Sequence, residues 1–308
     1  MADFSGGAAI SSGFRLIGRN PGAVLAWGVA YVLIAVLPQF LMMWRVLPDL
    51  MTFYRDIFAN AQSGVSPASD PEFMRLQGEI SRFQPLQFVL SIVALAVVNS
   101  AIYRAVLEPK NKAWGYLRLG MQEVWVGLTT VVFYIALFVA VLAALIPVGV
   151  VAAVTSSGPS WTSGLIVFLL ACGALFFVIW VILRLSLAMP MSFAQKNFRL
   201  FESWRLTRGL GWKLFGVVLA LVCIVIALEL ALMVVAFTLI SATGLAHADQ
   251  IQAFFQHPPA DLAARAVPWL AGICGVYAIL AGLMLSIMTA PFATIYGELS
   301  GEADTQVF

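Results

Sequence analysis

One carboxylate in this sequence lies where carboxylates are rare, and it is the first candidate for chemistry. Glu229 stands near the middle of a long apolar stretch, in the run Ala-Leu-Glu-Leu-Ala. An ionisable side chain at that depth of a membrane is costly, and it normally faces a bundle interior or a water-filled cavity. Two interpretations follow. Glu229 couples transport to protons or ions, or it makes a hydrogen-bonded packing contact between helices, which we favour.

Three other polar residues in or at the ends of apolar stretches are the expected partners of Glu229. They are Arg184, Asn99 and Tyr277. Arg184 and Glu229 lie on consecutive antiparallel stretches, about 15 Å and 22 Å deep at a rise of about 1.5 Å per residue. Their side chains meet only if both reach towards each other. We favour the other interpretation of Arg184, in which its side chain extends to the membrane surface. These four residues form the candidate intramembrane polar site.

The other chemistry-bearing side chains do not form a reaction centre. His247 and His257 share one loop with Asp249 and Asp261, but widely spaced histidines with loose acids are typical of a solvated loop. The three cysteines lie inside apolar stretches without metal-ligand spacing. We find no phosphate loop, nucleophile elbow or zinc-protease motif. The sequence therefore predicts a protein that is not an enzyme and that has no metal site and no cofactor.

Six long apolar stretches must position these residues. They are Gly22–Trp44, Pro85–Ile102, Val124–Val154, Gly164–Leu183, Leu214–Ile240 and Pro268–Pro291. A helix needs about 20 apolar residues to cross a bilayer, and each stretch is about that long or longer. The chain is 62% hydrophobic and only 10% charged, whereas soluble domains are about 25% charged. We predict an all-α polytopic protein with six transmembrane helices, forming a single integral membrane domain over residues 1–308.

The distribution of basic residues predicts the orientation. Of the 17 Lys and Arg residues, 12 lie in the N-terminal segment and in the second–third and fourth–fifth connections, and 5 lie on the other side. Cytoplasmic loops are the ones enriched in Lys and Arg. We therefore predict that both termini are cytoplasmic.

A short basic segment precedes each odd-numbered stretch, so the chain reads as three hairpins. The segments are Phe14-Arg15-Leu16-Ile17-Gly18-Arg19, Tyr116-Leu117-Arg118-Leu119-Gly120 and Trp204-Arg205-Leu206-Thr207-Arg208-Gly209. Apolar and basic residues alternate at helical spacing, as in basic amphipathic helices that lie in the headgroup plane. We predict hairpin units of about 1–110, 111–195 and 196–308, each preceded by a basic interfacial helix.

These basic helices have two interpretations. The simpler one is that they only anchor and orient the hairpins. The sharper one is contact with anionic lipid headgroups, since a basic residue at the cytoplasmic surface gains about 1 kcal/mol from them. The candidate headgroup contacts are Arg15, Arg19, Arg118, Arg199, Arg205, Arg208 and Lys213.

The first loop on the other side predicts a helical external cap. Asp70-Pro71-Glu72 is typical of a helix start, with proline at the first helical position. Apolar residues at helical spacing follow it, and a similar set near Phe53 indicates a second short helix before it.

Two further segments carry a resemblance to a known group. They are Glu202-Ser-Trp-Arg-Leu-Thr-Arg-Gly209, before the fifth stretch, and Pro291-Phe-Ala-Thr-Ile-Tyr-Gly-Glu-Leu299, after the sixth. With the hairpin organisation, they resemble uncharacterised bacterial six-span proteins related to the membrane domain of some glycerophosphodiester phosphodiesterases. The resemblance implies a bacterial inner-membrane protein. It implies no phosphodiesterase activity, because the soluble hydrolase domain is not in this sequence.

The expected function is therefore a non-enzymatic inner-membrane module that contacts lipid or binds a partner. The expected partners are membrane lipids with anionic headgroups, and either a second copy or another membrane protein, but no nucleic acid. The alternative is a small transporter or channel that uses Glu229. An intramembrane enzyme is a weaker alternative, because Glu229 has no companion nucleophile, histidine or metal set.

Overall fold

The computed structural model describes residues 4–59, 71–110, 112–156, 161–242 and 259–301. Regular structure in these ranges is helical throughout, which confirms the predicted all-α class. The elements are α1 (Gly6–Arg19), α2 (Pro21–Tyr31), a π-helical turn (Val32–Val36), α3 (Leu37–Ala59), α4 (Pro71–Leu107), a 3₁₀ turn (Ala113–Tyr116), α5 (Met121–Thr155), α6 (Trp161–Leu185), α7 (Ala188–Gln195), α8 (Leu200–Leu206), α9 (Gly211–Ala242) and α10 (Pro259–Ser300).

Six helical segments in the described ranges are long and apolar enough to cross a membrane, which confirms the six predicted spans. They are Pro21–Leu50, Pro71–Leu107, Ala113–Thr155, Trp161–Gln195, Gly211–Thr238 and Gly272–Ser300. Each contains the bulk of one apolar stretch of the sequence. Their surfaces are largely apolar and exposed, as expected of helices in contact with lipid.

The chain divides into two compact units. The first unit comprises Met1–Pro21, Ala96–Leu221 and Leu285–Phe308, and the second comprises Gly22–Leu95 and Val222–Met284. Within the first unit, α5 and α6 pack along each other, as the second predicted hairpin requires. The division into three hairpin units within one domain stays a prediction.

The first basic segment forms the helix that the sequence predicts. Ser5 begins α1 by accepting a hydrogen bond from the Ala8 amide at 3.3 Å. The buried face of α1 comprises Ala9, Ser12, Gly13 and Leu16. A Cβ on Gly13 would lie 2.8 Å from the Cα atom of Ile287, so α1 contacts the backbone of α10 directly. The basic side chains of α1 are exposed.

The second basic segment does not form the predicted helix. It is a short 3₁₀ turn, and three consecutive residues, Trp114, Gly115 and Tyr116, have positive φ angles of 55°, 64° and 65°. That left-handed backbone is incompatible with an α-helix of L-residues. Regular helix resumes only at Met121, so the prediction of a basic interfacial helix before the third span is wrong.

The predicted cap is helical, but its helices are continuations of the spans. α3 continues to Ala59, and α4 starts at Pro71, as the Asp-Pro-Glu motif predicts. A buried apolar cluster of Val46, Phe53 and Leu76 joins these extensions. Residues 60–70, between α3 and α4, lie outside the described residues.

In the second unit, α2 and α10 cross at two glycines. A Cβ on Gly28 would lie 1.7 Å from the carbonyl oxygen of Ala278, and a Cβ on Gly282 would lie 2.2 Å from that of Val24. Small residues allow membrane helices to approach this closely. The π-helical turn follows the crossing, and the carbonyl of Ala35 within it accepts a hydrogen bond from the Gln87 amide of α4 at 2.8 Å.

Candidate functional site

Glu229 lies on the outside of α9 with its side chain exposed. Within the described part of the chain it makes no hydrogen bond or ion pair. It sits near the middle of the fifth span, Gly211–Thr238. The carboxyl group therefore faces hydrocarbon unless another molecule covers it. The transporter alternative, which requires Glu229 to face a cavity, stays a prediction.

The other three residues of the predicted intramembrane polar site have different surroundings, and their assembly with Glu229 stays a prediction. Arg184, at the end of α6, places its guanidinium 5.6 Å from the centre of the Trp180 ring. Asn99 of α4 is buried and accepts a hydrogen bond from Thr289 of α10 at 3.1 Å. Tyr277 is exposed on α10. Asn99 thus has a partner other than Glu229, and it serves the contact between α4 and α10.

A buried ion pair that the sequence analysis did not single out lies in the first unit. Arg104 is in the last turn of α4, and Glu123 is in the first turn of α5. The Arg104 Nη2 atom lies 2.5 Å from Glu123 Oε1, and the two side chains are only 2% and 6% exposed. The other Glu123 oxygen accepts a hydrogen bond from the Gly120 amide at 2.8 Å, which caps α5.

The left-handed turn completes the surroundings of Arg104. The positive φ angles direct the Tyr116 carbonyl at Arg104 Nη1, at 2.5 Å, and Gln122 accepts a third hydrogen bond at 3.2 Å. The guanidinium also lies 5.4 Å from the centre of the Phe193 ring of α7. With three hydrogen bonds and one ring contact, the Arg104 guanidinium joins α4, the turn, α5 and α7.

The hydroxyl of Ser192 links the segment after α7 to α5. Ser192 Oγ accepts hydrogen bonds from Thr129 Oγ1 at 3.0 Å and from the Arg199 amide at 3.1 Å. Lys196 ends α7 in the left-handed conformation, with φ of 52°. The chain therefore turns sharply back, and α8 lies beside α7 at the same end of the first unit.

The third basic segment, α8, has three distinct faces. Its inward face carries the buried Leu200 and Ser203, and Ser203 and the following Thr207 donate to the carbonyl of Arg184 at 2.9 and 3.3 Å. A second face carries the exposed aromatic residues Phe201 and Trp204.

The remaining face of α8 forms a pocket with α7. The pocket has a volume of about 420 Å³ and is lined by Met191, Gln195, Arg199, Glu202, Arg205 and Leu206. We call it the α7–α8 pocket. Two arginines and one glutamate give it one net positive charge, and its methionine and leucine are apolar. This combination fits a ligand with an anionic head and an apolar body.

The two arginines of the pocket differ in their state. Arg199 is half-buried, and its Nη1 pairs with Glu202 while its buried Nε has no hydrogen-bond partner. Arg205 is exposed, and its side chain makes no hydrogen bond within the described residues. A phosphate in the pocket would therefore find one free guanidinium, that of Arg205.

The other predicted headgroup contacts also belong to the first unit. Arg15, Arg19, Arg118, Arg208 and Lys213 are all exposed. Exposed tryptophans accompany them at Trp114 and Trp212, which are 90% and 80% exposed. Tryptophan at this position is typical of a membrane–water interface.

The described residues contain no group of three or more His, Cys, Asp and Glu that could hold a metal ion. The loop that contains His247 and His257 lies outside the described residues. The predictions that the chain needs no metal and no cofactor stay predictions.

Comparison with known proteins gives no relative. No protein-family model matches the chain, and no curated protein and no solved structure matches it either. The resemblance to membrane domains of glycerophosphodiester phosphodiesterases therefore stays a prediction.

Proposed function

We propose that this chain is an integral membrane protein that binds the phosphate of an anionic lipid headgroup in the α7–α8 pocket, as a structural module and without catalysing a reaction. The observation that carries the proposal is that Arg199 and Arg205 line one pocket together with the apolar residues Met191 and Leu206. Planar guanidinium groups suit phosphate oxygens, and Arg is preferred where both charge and geometry matter.

The position of the pocket supports a lipid ligand. Its lining residues Arg199, Glu202 and Arg205 alternate along the chain with the exposed aromatic residues Phe201 and Trp204 of α8. A phosphate held by Arg205 would leave its acyl chains beside Phe201, which is 73% exposed. Aromatic side chains at that level pack against the boundary between headgroups and acyl chains.

Glu202 provides a sharp test because it competes with the ligand. The Glu202 carboxylate forms an ion pair with Arg199. Removing its charge should free Arg199 for phosphate and strengthen binding. If the basic residues only anchor the protein, there is no defined pocket. Glu202→Gln should then change lipid binding little.

The experiment measures anionic lipid retained by the purified protein, by native mass spectrometry after reconstitution in phosphatidylcholine with phosphatidylglycerol. Arg205→Gln should weaken binding about fivefold, which corresponds to the ~1 kcal/mol that one basic residue gains. Glu202→Gln should strengthen it. Arg208→Gln is the matched control, because Arg208 is exposed near the C-terminal end of α8 but does not line the pocket.

Two outcomes would count against this function. Equal losses in the Arg205 and Arg208 variants, with no gain in Glu202→Gln, would indicate a diffuse basic surface that only anchors the protein. Displacement of the lipid by inorganic phosphate or glycerol phosphate would indicate that the pocket takes a soluble phosphate.

A further inference from the structure

One face of α9 carries a regular stripe of exposed side chains. The spacings between its members alternate between four and three residues. The members are Val222, Ile226, Glu229, Met233 and Ala236. Val222, Ile226 and Met233 are 40%, 49% and 69% exposed. We call this set the Glu229 stripe. Its spacing is that of the a and d positions of a left-handed coiled coil.

Glu229 is the single polar member of this stripe. Acyl chains cover the four apolar members without cost, because they are as apolar as the side chains themselves. They offer no hydrogen bond to a carboxyl group, and within the described residues the chain offers none either. A partner for the Glu229 carboxyl group must therefore reach the middle of the membrane.

We propose that the Glu229 stripe is the interface between two copies of this chain, in which the two Glu229 carboxyl groups hydrogen-bond to each other. Two copies inserted in the same orientation present Glu229 at the same depth. A two-fold axis parallel to the membrane normal therefore brings each carboxyl opposite its counterpart. A different partner would need a donor placed independently at that depth.

The chemistry of a carboxyl group suits this self-pairing. A protonated carboxyl donates one hydrogen bond and also accepts, so two of them, or one with a carboxylate, satisfy each other. One proton at least is required, because two carboxylates in contact repel each other. A single polar residue among apolar a and d positions fixes the register of a helix pair, so Glu229 sets which residues of the stripe meet.

The apolar members around Glu229 supply the packing. Ile226 and Met233 lie one turn before and one turn after it, and both are exposed. In the pair of helices they meet their own counterparts and exclude lipid from the carboxyl groups. Leu230 is also exposed, but it lies about 100° around the helix from Glu229 and outside the stripe.

The first test measures association of the full-length chain in phosphatidylcholine vesicles by energy transfer between donor- and acceptor-labelled copies, over a series of protein-to-lipid ratios. The wild type should be a dimer. Glu229→Leu should raise the dissociation constant about tenfold. Glu229→Gln keeps a donor and an acceptor on the same shape, so its dissociation constant should stay within about threefold of the wild type.

The second test locates the interface by cysteine cross-linking. The three native cysteines, Cys172, Cys223 and Cys274, are first replaced by alanine. Met233→Cys should then form a disulfide between two copies. Leu230→Cys, next to Glu229 in sequence but outside the stripe, should not. Circular dichroism and thermal melting of each variant establish that it is folded before its association is compared.

Either of two results overturns the proposal. One is a wild-type chain that stays monomeric at all protein-to-lipid ratios. The other is a dimer that Glu229→Leu leaves unchanged and that cross-links through Leu230→Cys as well as through Met233→Cys. Because this interface does not involve the α7–α8 pocket, neither result bears on lipid binding.

Discussion

Removing the carboxylate of the buried Arg104–Glu123 pair should be among the most destabilising single substitutions in this chain. Arg104 is 2% exposed and donates to three acceptors, Glu123, the Tyr116 carbonyl and Gln122. Glu123→Ala removes the one negative charge among them. The guanidinium then stays buried as an uncompensated cation, which costs about 3–5 kcal/mol. The α5 cap at the Gly120 amide is lost as well.

Two further variants separate charge from shape. Glu123→Gln keeps one acceptor but loses the charge. It should therefore cost about 1.5–3 kcal/mol, which is the usual value of a hydrogen bond to a charged group. The double variant Arg104→Met with Glu123→Leu removes both charges and keeps apolar volume. It should be more stable than Glu123→Ala alone, because no unpaired charge remains.

The exposed ion pairs of the cap provide the control. Arg75 lies 3.4 Å from Glu79, and the two side chains are 50% and 39% exposed. Glu79→Ala should change the free energy of unfolding by less than about 1 kcal/mol, because solvent screens that pair. The free energies are measured by reversible unfolding in mixed micelles with increasing denaturing detergent. The reasoning is refuted if Glu123→Ala costs no more than Glu79→Ala, or if the double variant is less stable than Glu123→Ala.

Two other predictions concern packing and topology. Gly28→Ala should destabilise the chain by about 1–3 kcal/mol or more, because its Cβ would lie 1.7 Å from the Ala278 carbonyl oxygen. Gly78→Ala, with nothing within 4 Å of the new Cβ, should leave the free energy of unfolding unchanged or raise it slightly in the same detergent unfolding assay. Reporter fusions should read cytoplasmic at Gln195 and external at Ser66, as the Lys and Arg asymmetry predicts. An external signal at Gln195 would overturn the predicted orientation.

The six spans were predictable because crossing a membrane depends on the composition of one segment at a time. Apolar length is a property of each stretch alone, and it identified all six helices. The α4 start at Pro71 was equally local, since proline favours the first helical position. The failure at Trp114–Tyr116 has a different origin. Its left-handed turn serves the Arg104 side chain, and a hydrophobic pattern does not contain that contact.

The buried pair was missed for a related reason. Arg104 was counted as one of the basic residues of a loop, which gave the orientation but not its burial. A signal was present in the sequence. Arg104 ends one apolar stretch and Glu123 begins the next, so a short loop brings opposite charges together at one depth. For Glu229 the sequence indicated a costly position and a helix–helix contact, but it did not indicate which side of α9 faces outward.

The contacts of α10 with the start of the chain have a consequence for biosynthesis. The amide of Ser5 donates to Glu298 at 2.9 Å, across 293 residues of sequence. α2 meets the same last helix at Gly28 and Gly282. At a synthesis rate of about 5–20 residues per second, α1 and α2 wait on the order of tens of seconds for this partner. During that interval the close-packing surfaces at Gly13 and Gly28 face lipid, the insertion machinery or a neighbouring nascent chain. Slowing translation late in the message should therefore favour exchange of α10 between copies.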